Sequence, residues 1–219
     1  QFQQIGDQTT DIPQVLARYQ AVREIDVIRL QNAAWNAMEW FEVCGKRYCD
    51  QLEPEQFMYS MLTRSQRISH ENLRLRDKGW LEGYEKWFAE KAGVQAKGVT
   101  PPPMFTPYTV RGVTLKNRIV VSPMAQYSAV DGLAGDYHLV HLGARAMGGA
   151  GLVFAEMSCV SAEGRITPGC PGLYKPEHTA AFARIADWIH QNTDAKFGIQ
   201  IGHAGAKGST RRAWDGIDQ

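Results

Sequence analysis

Three short stretches of the sequence place polar side chains directly after apolar segments. They are residues 122–127, 156–158 and 200–207, and together they offer backbone amides, a hydroxyl, a primary amide, a phenol and a lysine. The amide of Gln200 can donate to and accept from one edge of a planar ring, and a nearby cation stabilises an anionic form of that ring. The three stretches together favour a binding site for a planar heterocycle, although ordinary strand-end polarity explains any one of them alone.

Other constellations in the sequence give weaker signals. The glycine-rich residues 148–151 precede an apolar segment, whereas a dinucleotide fingerprint follows a strand. His138 and His141 have the spacing of two ligands on one helix face, but no third ligand is evident, so we predict two packed histidines and no metal site. Ser122 is followed by proline instead of the glycine of a nucleophile elbow, which disfavours a hydrolase.

The elements that position these residues follow from the pattern after residue 104. Continuous apolar runs are typical of strands buried on both faces of a parallel sheet, and their alternation with helical patterns predicts βαβ units. The predicted elements are a hairpin at 105–116 turned at Arg111-Gly112, buried strands at 118–124 and 151–156, a third strand at 196–202, and helices at 136–147 and 176–191. The fold class is therefore α/β, with a doubly wound sheet as the open alternative.

Residues 11–92 follow a different pattern, with apolar side chains three and four positions apart. This spacing predicts helices, for which Asp11 is a plausible N-cap and Gly45 a stop signal. A second helical stretch begins at Pro54, and a third covers residues 69–90. Aromatic residues at helical spacing usually lie in a core, so we expect burial of the four tryptophans of this half, Trp35, Trp40, Trp80 and Trp87.

The composition changes at a segment rich in glycine and proline. Residues 93–103 lack periodicity and end in three prolines, which favours an extended polyproline II linker. The predicted organisation is a helical domain at 1–92, this linker, and an α/β domain at 104–219. The first ten residues show neither a charged n-region nor an apolar h-region, so no signal peptide is expected in this sequence.

Composition and charge exclude several classes of protein. The chain has 219 residues, of which 44% are hydrophobic, and a formal net charge of +1. These values disfavour a disordered or fibrous chain and a nucleic-acid binder, and no apolar run reaches the about 18 residues of a membrane span. Four cysteines without a CxxC pair indicate reduced thiols in a cytoplasmic protein, with a Cys44–Cys49 bridge as the alternative.

Several motifs after residue 104 resemble the opening of the Old Yellow Enzyme family, whose members are FMN-dependent ene-reductases on a β/α barrel. The motifs that carry the resemblance are residues 115–119, 122–124, 126–127, 164–166 and 200–205. The resemblance implies a partial (β/α)8 barrel, made of the first three βα units and preceded by an all-helical segment. A complete barrel takes about 250 residues, so we expect the chain to be a piece of a larger protein.

The same resemblance assigns roles to individual residues. The residues implied in flavin binding are Ser122, Pro123, Met124, Ala125, Met157 and Gln200. Tyr127 is implied as the catalytic residue that approaches the substrate, and Lys207 as a second substrate contact. Many bacterial members carry a cysteine at the position of Ala125, so thiol tuning of the flavin is not expected here. The family's histidine pair and phosphate site are not in this sequence, and we expect only weak FMN binding by these residues alone.

The helical half resembles the C-terminal end of FAD-dependent hydroxylases that act on aryl-CoA thioesters, of the salicylyl-CoA 5-hydroxylase and 2-aminobenzoyl-CoA monooxygenase/reductase type. Residues 29–34, 38–42, 52–57 and 63–68 carry this resemblance. In fused enzymes of that type, an Old Yellow Enzyme-like domain follows the hydroxylase. The pairing implies FMN, FAD and NAD(P)H as cofactors, and an aromatic acyl-CoA or an activated alkene as substrate.

Two other interpretations remain open. The chain could belong to a stand-alone alkene reductase of the Old Yellow Enzyme type with an unrelated helical extension. It could also be a truncated, non-catalytic product that serves as a helical interaction module. Neither a nucleic acid nor a membrane is expected as a partner, and a homo-oligomer of the full-length protein stays an open alternative.

Overall fold

The computed structural model describes residues 11–95, 97–208 and 210–216. The ends of the predicted helical and α/β domains, residues 1–10 and 217–219, lie outside the described residues. The chain divides into two compact units with the boundary between Trp87 and Phe88. The predicted helical half and α/β half are both present, and the predicted boundaries at 92 and 103 stay a prediction.

The first unit is helical throughout its described elements. The helices are α1 (Ile12–Glu39), a π-helical segment (Trp40–Gly45), α2 (Lys46–Tyr48), α3 (Pro54–Thr63), α4 (His70–Arg76) and α5 (Lys78–Lys91). Asp11 is the N-cap residue of α1, as predicted, although its side chain makes no capping hydrogen bond. None of the helices built from the described residues has the length and apolar character that crossing a bilayer requires.

Gly45 was predicted to end the first helix, and this prediction is wrong. Its backbone is right-handed helical (φ −61°, ψ −48°), and the helical segment continues to Tyr48. The glycine instead leaves room for the Trp40 indole, because a Cβ on Gly45 would lie 3.1 Å from that ring. Trp40 is buried there and donates from Nε1 to Ser60 Oγ at 2.6 Å.

The prediction that the apolar stripe and tryptophans of this half form a core holds only in part. Trp40 is buried and Trp80 and Trp87 are half-buried, but Trp35 is 59% exposed. Along α1, side chains such as Leu16 and Leu30 are at least half exposed. Apolar spacing indicates that a helix face is suited to burial, but it does not show which surface, if any, covers that face.

The stretch at 69–90, predicted as one helical segment, is two helices. Asp77 has an extended backbone (φ −150°, ψ 91°), and its Oδ1 accepts the Trp80 N–H at 2.9 Å. A short acidic side chain at this position satisfies a free N–H of the next helix, so the chain stops α4 and starts α5 there. Ser69 and Asn72 form a capping box at the start of α4.

Glu85 is a buried carboxylate in the first unit, and it lies between the side chains of Arg74 and His70. Arg74 Nη2 donates to Oε1 at 2.6 Å, and His70 Nε2 lies 2.8 Å from the same oxygen. Burial alone would raise the pKa of Glu85, but the hydrogen bonds from Arg74 and His70 outweigh it and hold the pKa below its ordinary value. The charged carboxylate is therefore part of the folded structure.

A lowered folded-state pKa gives stability that is present above the unfolded-state pKa and is lost as the pH falls through the folded-state value. We expect Glu85→Gln to lower the free energy of unfolding of the helical unit by about 2 kcal/mol at pH 7 and to weaken its acid dependence. Urea unfolding followed by tryptophan fluorescence between pH 3 and pH 7 measures both quantities. Glu82→Gln, on the exposed side of the same helix, serves as control and should change little. An unchanged acid dependence in Glu85→Gln would contradict the prediction.

Beyond the end of α5 and the predicted linker, the second unit contains the predicted hairpin. Pro102 is extended (φ −54°, ψ 150°), as expected of the linker, but Pro103 already starts a 3-10 turn. The hairpin strands are β1 (Tyr108–Val110) and β2 (Val113–Leu115), and Val110 pairs with Val113. Arg111 and Gly112 both have positive φ, 47° and 84°, which is the geometry of a two-residue type I′ turn.

A three-stranded parallel sheet follows, in the order β3-β4-β5. The strands are β3 (Val120–Val121), β4 (Leu152–Cys159) and β5 (Lys196–Gly202), and the helices α6 (Asp136–Met147) and α7 (Pro176–Asn192) connect them. Residues from both helices and from one face of the sheet form one hydrophobic core. This is the predicted α/β alternation, while closure into part of a barrel stays a prediction.

The predicted strand at 118–124, expected to be buried on both faces, is only two residues long. Proline at 123 has no N–H to donate to a sheet ladder, and the N–H of Ile119 bonds the Asn117 side chain at 3.1 Å. Val121 packs on the core, but Val120 on the opposite face is 46% exposed. The helices therefore cover one face of this sheet.

Candidate functional site

The register of the sheet brings the three polar stretches to one edge. Val121 pairs with Val153, and Ala155 pairs with Ile199. The strands run parallel, so the residues that follow β3 and the last residues of β4 and β5 lie at their common carboxyl edge. The sheet thus places together the three stretches that the sequence singled out.

The first stretch, residues 122–127, is named here the site loop. Its backbone N–H groups at Gln126 and Tyr127 both point to Glu156 Oε2, at 2.8 and 3.3 Å. The Gln126 side chain donates to the Met124 carbonyl at 2.9 Å and accepts from the Tyr137 hydroxyl at 2.8 Å. These bonds give the loop one defined backbone path instead of a flexible connection.

The residues predicted to bind flavin fall into two groups by exposure. Ser122, Met124, Ala125 and Gln200 are exposed, while Pro123 and Met157 are half-buried. Among the described residues, the side chains of Ser122 and Gln200 have no hydrogen-bond partner. Their polar groups are therefore available to a bound molecule at the sheet edge.

The Met157 side chain on β4 packs against Gly202 on β5. A Cβ on Gly202 would lie 2.8 Å from Met157 Cγ, so the thioether occupies the place that a side chain on β5 would fill. Next to it, the His203 ring lies against Gly164, and His203 Nδ1 accepts the Gly205 N–H at 3.0 Å. The end of β5 and the segment after β4 are thereby packed onto each other.

A cavity of about 490 Å³ adjoins Tyr127. Its other lining residues are Thr167, Thr210, Arg211 and Ala213. The Trp214 ring lies 6.4 Å from the Tyr127 ring. Lys207, the second predicted substrate contact, is exposed in a 3-10 turn and does not line this cavity. The described structure thus places Tyr127, but not Lys207, beside space for a small molecule.

Other reactive side chains near this edge are unsuited to nucleophilic chemistry. The four cysteines are unpaired, and Cys159 and Cys170 are buried. Burial, followed by the neighbouring Cys170, raises the pKa of Cys159 to about 11, so its thiol is not a thiolate at neutral pH. Burial and the charge of Arg145 lower the pKa of His141, whose ring stacks on Tyr137. No group of three or more potential metal ligands occurs among the residues that the structure describes.

Sequence reasoning gave Glu156 no role, although the structure shows it to be central. It is 4% exposed and links the site loop to His138, whose Nε2 lies 3.2 Å from Glu156 Oε1. A carboxylate at the end of an otherwise apolar buried strand was the available signal, because such a group stays buried only with partners.

The donor set fits the flavin that the resemblance implies. An isoalloxazine ring needs a flat apolar support and a group that both donates and accepts at its edge. Pro123, Met124 and Met157 provide apolar surface, and the amide of Gln200, which has no hydrogen-bond partner among the described residues, provides the polar edge. Glycine at 202 gives the Met157 thioether its place against β5.

Comparison with known proteins finds relatives of this chain among flavin oxidoreductases. The NADH:flavin oxidoreductase / NADH oxidase family matches residues 103–214. NADH:flavin oxidoreductase FG08077 of Gibberella zeae is 43% identical over 127 residues, which are 58% of this chain and 30% of that protein. An NADPH dehydrogenase of Bacillus cytotoxicus is 45% identical over 106 residues, 48% of this chain and 30% of that protein.

Among solved structures, morphinone reductase in complex with tetrahydroNAD is 24% identical and has a TM-score of 0.46, over 49% of this chain and 29% of that one. The chain spans about 30% of the length of the curated relatives it matches. The family match covers just over half of the chain and includes the whole carboxyl edge of the sheet. The chain therefore belongs to the NADH:flavin oxidoreductase / NADH oxidase family.

Proposed function

We propose that the α/β unit begins an FMN-dependent reductase domain that oxidises NADH or NADPH and reduces a conjugated C=C bond. The observation that carries this proposal is the exposed amide of Gln200 on β5, which has no hydrogen-bond partner among the described residues. It belongs to the sheet whose carboxyl edge also carries the site loop, and the family match covers this sheet. In the net reaction, NAD(P)H gives up a hydride and becomes NAD(P)⁺, while the alkene gains that hydride and one proton. The flavin, when bound, supplies the two-electron carrier between them.

The protein's own residues would orient the flavin ring and the substrate and would shield them from water. Gln200 would bond the polar edge of the ring through its amide, and residues 122–125 would line the ring together with Met157. Ala125 contributes no thiol, so this site tunes the flavin by hydrogen bonding and packing alone. Tyr127 faces the substrate from the cavity beside it, and Lys207 approaches from the loop after β5. Tyr127 and Lys207 are both proposed to contact the substrate, and Tyr127 is the one proposed to act at the reacting atoms.

The proposal is tested with Gln200→Ala in the intact protein. We expect the variant to bind FMN about 10-fold more weakly, because one or two hydrogen bonds to the ring are lost. Flavin fluorescence titration gives the dissociation constant, and NADPH oxidation with 2-cyclohexenone gives the activity. Gln191→Ala, on the exposed surface of α7, is the matched control. An intact protein that binds no FMN and reduces no enone would refute the proposed function.

We further propose that the helical unit ends an FAD-dependent hydroxylase acting on aromatic acyl-CoA thioesters, fused to the reductase. The supporting observation is the likeness of residues 29–34, 38–42, 52–57 and 63–68 to such hydroxylases. In that arrangement, the hydroxylase would transfer one oxygen atom of O2 to the activated ring, while two electrons from NAD(P)H reduce the other oxygen atom to water. The reductase would act on the dearomatised product. The intact protein would be cytoplasmic and would release both FAD and FMN on denaturation. Release of FMN alone would favour a stand-alone alkene reductase.

A further inference from the structure

Glu156 and the site loop form a buried contact that the proposed chemistry has not used. Glu156 lies near the carboxyl end of β4, and the N–H groups of Gln126 and Tyr127 both point to its Oε2. The carboxylate is 4% exposed, so these bonds are made away from water. A buried carboxylate that accepts two backbone N–H groups holds that backbone more firmly than a solvated contact would.

The other carboxylate oxygen faces His138. His138 Nδ1 accepts the Gly135 N–H at 3.2 Å, so the proton of the neutral ring lies on Nε2. That Nε2 is 3.2 Å from Glu156 Oε1, and both atoms are buried without another partner among the described residues. The two atoms are within ion-pair distance of each other, so His138 is the buried neighbour of the carboxylate oxygen that the loop does not use.

The backbone at Tyr127 needs such support. Its φ is +53°, a left-handed conformation that costs a non-glycine residue about 1 kcal/mol or more. The two N–H bonds to Glu156 hold the peptides on either side of Gln126, and the second of these peptides carries the N–H of Tyr127. They therefore hold the chain up to the N–Cα bond whose rotation is the φ of Tyr127. Without them, the loop would relax towards an ordinary backbone, and the phenol would leave the cavity that adjoins it.

We propose that Glu156 is a positioning residue, which holds Tyr127 in its left-handed conformation and so directs the phenol at the substrate. His138 is the support that orients Glu156. The role assigned to Tyr127 rests on the proposed function, whereas the contact between Glu156 and the site loop does not. The inference thus has a structural part and a catalytic part, and each needs its own measurement.

The structural part is tested by hydrogen exchange in the intact protein. In Glu156→Ala we expect the amides of residues 122–130 to exchange about 10-fold faster, which corresponds to the loss of about 1.4 kcal/mol of protection. Residues 196–202 in β5 should be unaffected. Glu156→Gln keeps the shape of the side chain and serves if the alanine variant does not fold. Glu177→Gln, an exposed position in the first turn of α7, is the control. Unchanged exchange at 122–130 would overturn the inference.

The catalytic part is tested by a double-mutant cycle on kcat/KM for 2-cyclohexenone. Glu156→Gln should lower kcat/KM about 10-fold when Tyr127 is present, and less than about 2-fold in the Tyr127→Phe background. An equal loss in both backgrounds would show that Glu156 does not act through Tyr127, and would overturn the positioning role. If the unmodified protein reduces no enone, the proposed function fails with the catalytic part. Hydrogen exchange then still decides whether Glu156 holds the loop.

Discussion

Gly169→Ala is expected to lower the free energy of unfolding of the α/β unit by about 3 kcal/mol and to move Tyr127. A Cβ on Gly169 would lie 2.2 Å from the Tyr127 carbonyl oxygen and 2.7 Å from its carbonyl carbon. The clash is with backbone, so a rotamer change cannot relieve it. Gly169 itself cannot retreat, because its carbonyl accepts the Ala129 N–H at 2.9 Å and its N–H donates to Thr167 Oγ1 at 3.2 Å.

The measurement for Gly169→Ala is urea unfolding of the intact protein, combined with FMN affinity and kcat/KM. Gly135→Ala is the matched control, since a Cβ there meets nothing within 4 Å and Gly135 is exposed. That control should cost less than about 1 kcal/mol, the effect of alanine at an N-cap. Equal stability of the two variants would show that the site loop shifts away from Gly169 without cost. The backbone of Tyr127 would then be displaced at a lower cost in free energy than its contacts indicate.

The regular elements around the site could be predicted from the sequence where local signals agree. The helix at 136–147 and the strand at 196–202 have the predicted ends, and the hairpin turns at the predicted residues. In each case a glycine or a turn dipeptide lies where an apolar run stops. Gly148, for example, directly follows the last residue of α6. These helix-end and turn signals act over a few residues and do not depend on the rest of the fold.

The parts that were wrong or missed depend either on packing that the apolar pattern does not describe or on partners distant in sequence. The strand at 118–124 is cut short by Pro123, and the exposed face of α1 lacks a covering surface among the described contacts of its unit. Gly45 serves the packing of Trp40 instead of a helix end. The bond from the Gln126 N–H to Glu156 joins residues 30 positions apart. No local pattern announces a contact of that kind, so the support of the site loop was visible only in three dimensions.

The core beneath the sheet carries the second large effect. Ile185 in α7 is 0% exposed and belongs to the cluster that joins both helices to the sheet. We expect Ile185→Ala to lower the free energy of unfolding by about 3–4 kcal/mol, through lost burial and the cavity left behind. Thermal or urea unfolding of the intact protein measures this loss. Secondary structure in the folded baseline should stay unchanged, because alanine is a strong helix former.

Val140→Ala in α6 separates burial from helix propensity. Val140 is also β-branched and helical, but it is 69% exposed. Both substitutions gain helix propensity of about 0.5 kcal/mol, so the difference between them reports the core contact alone. Val140→Ala should therefore be neutral or slightly stabilising, while Ile185→Ala lowers stability severalfold more than any propensity gain. Similar stabilities for the two variants would mean that the helices do not pack on the sheet as described. The sheet would then lack the core that holds Ser122, Glu156 and Gln200 at one carboxyl edge.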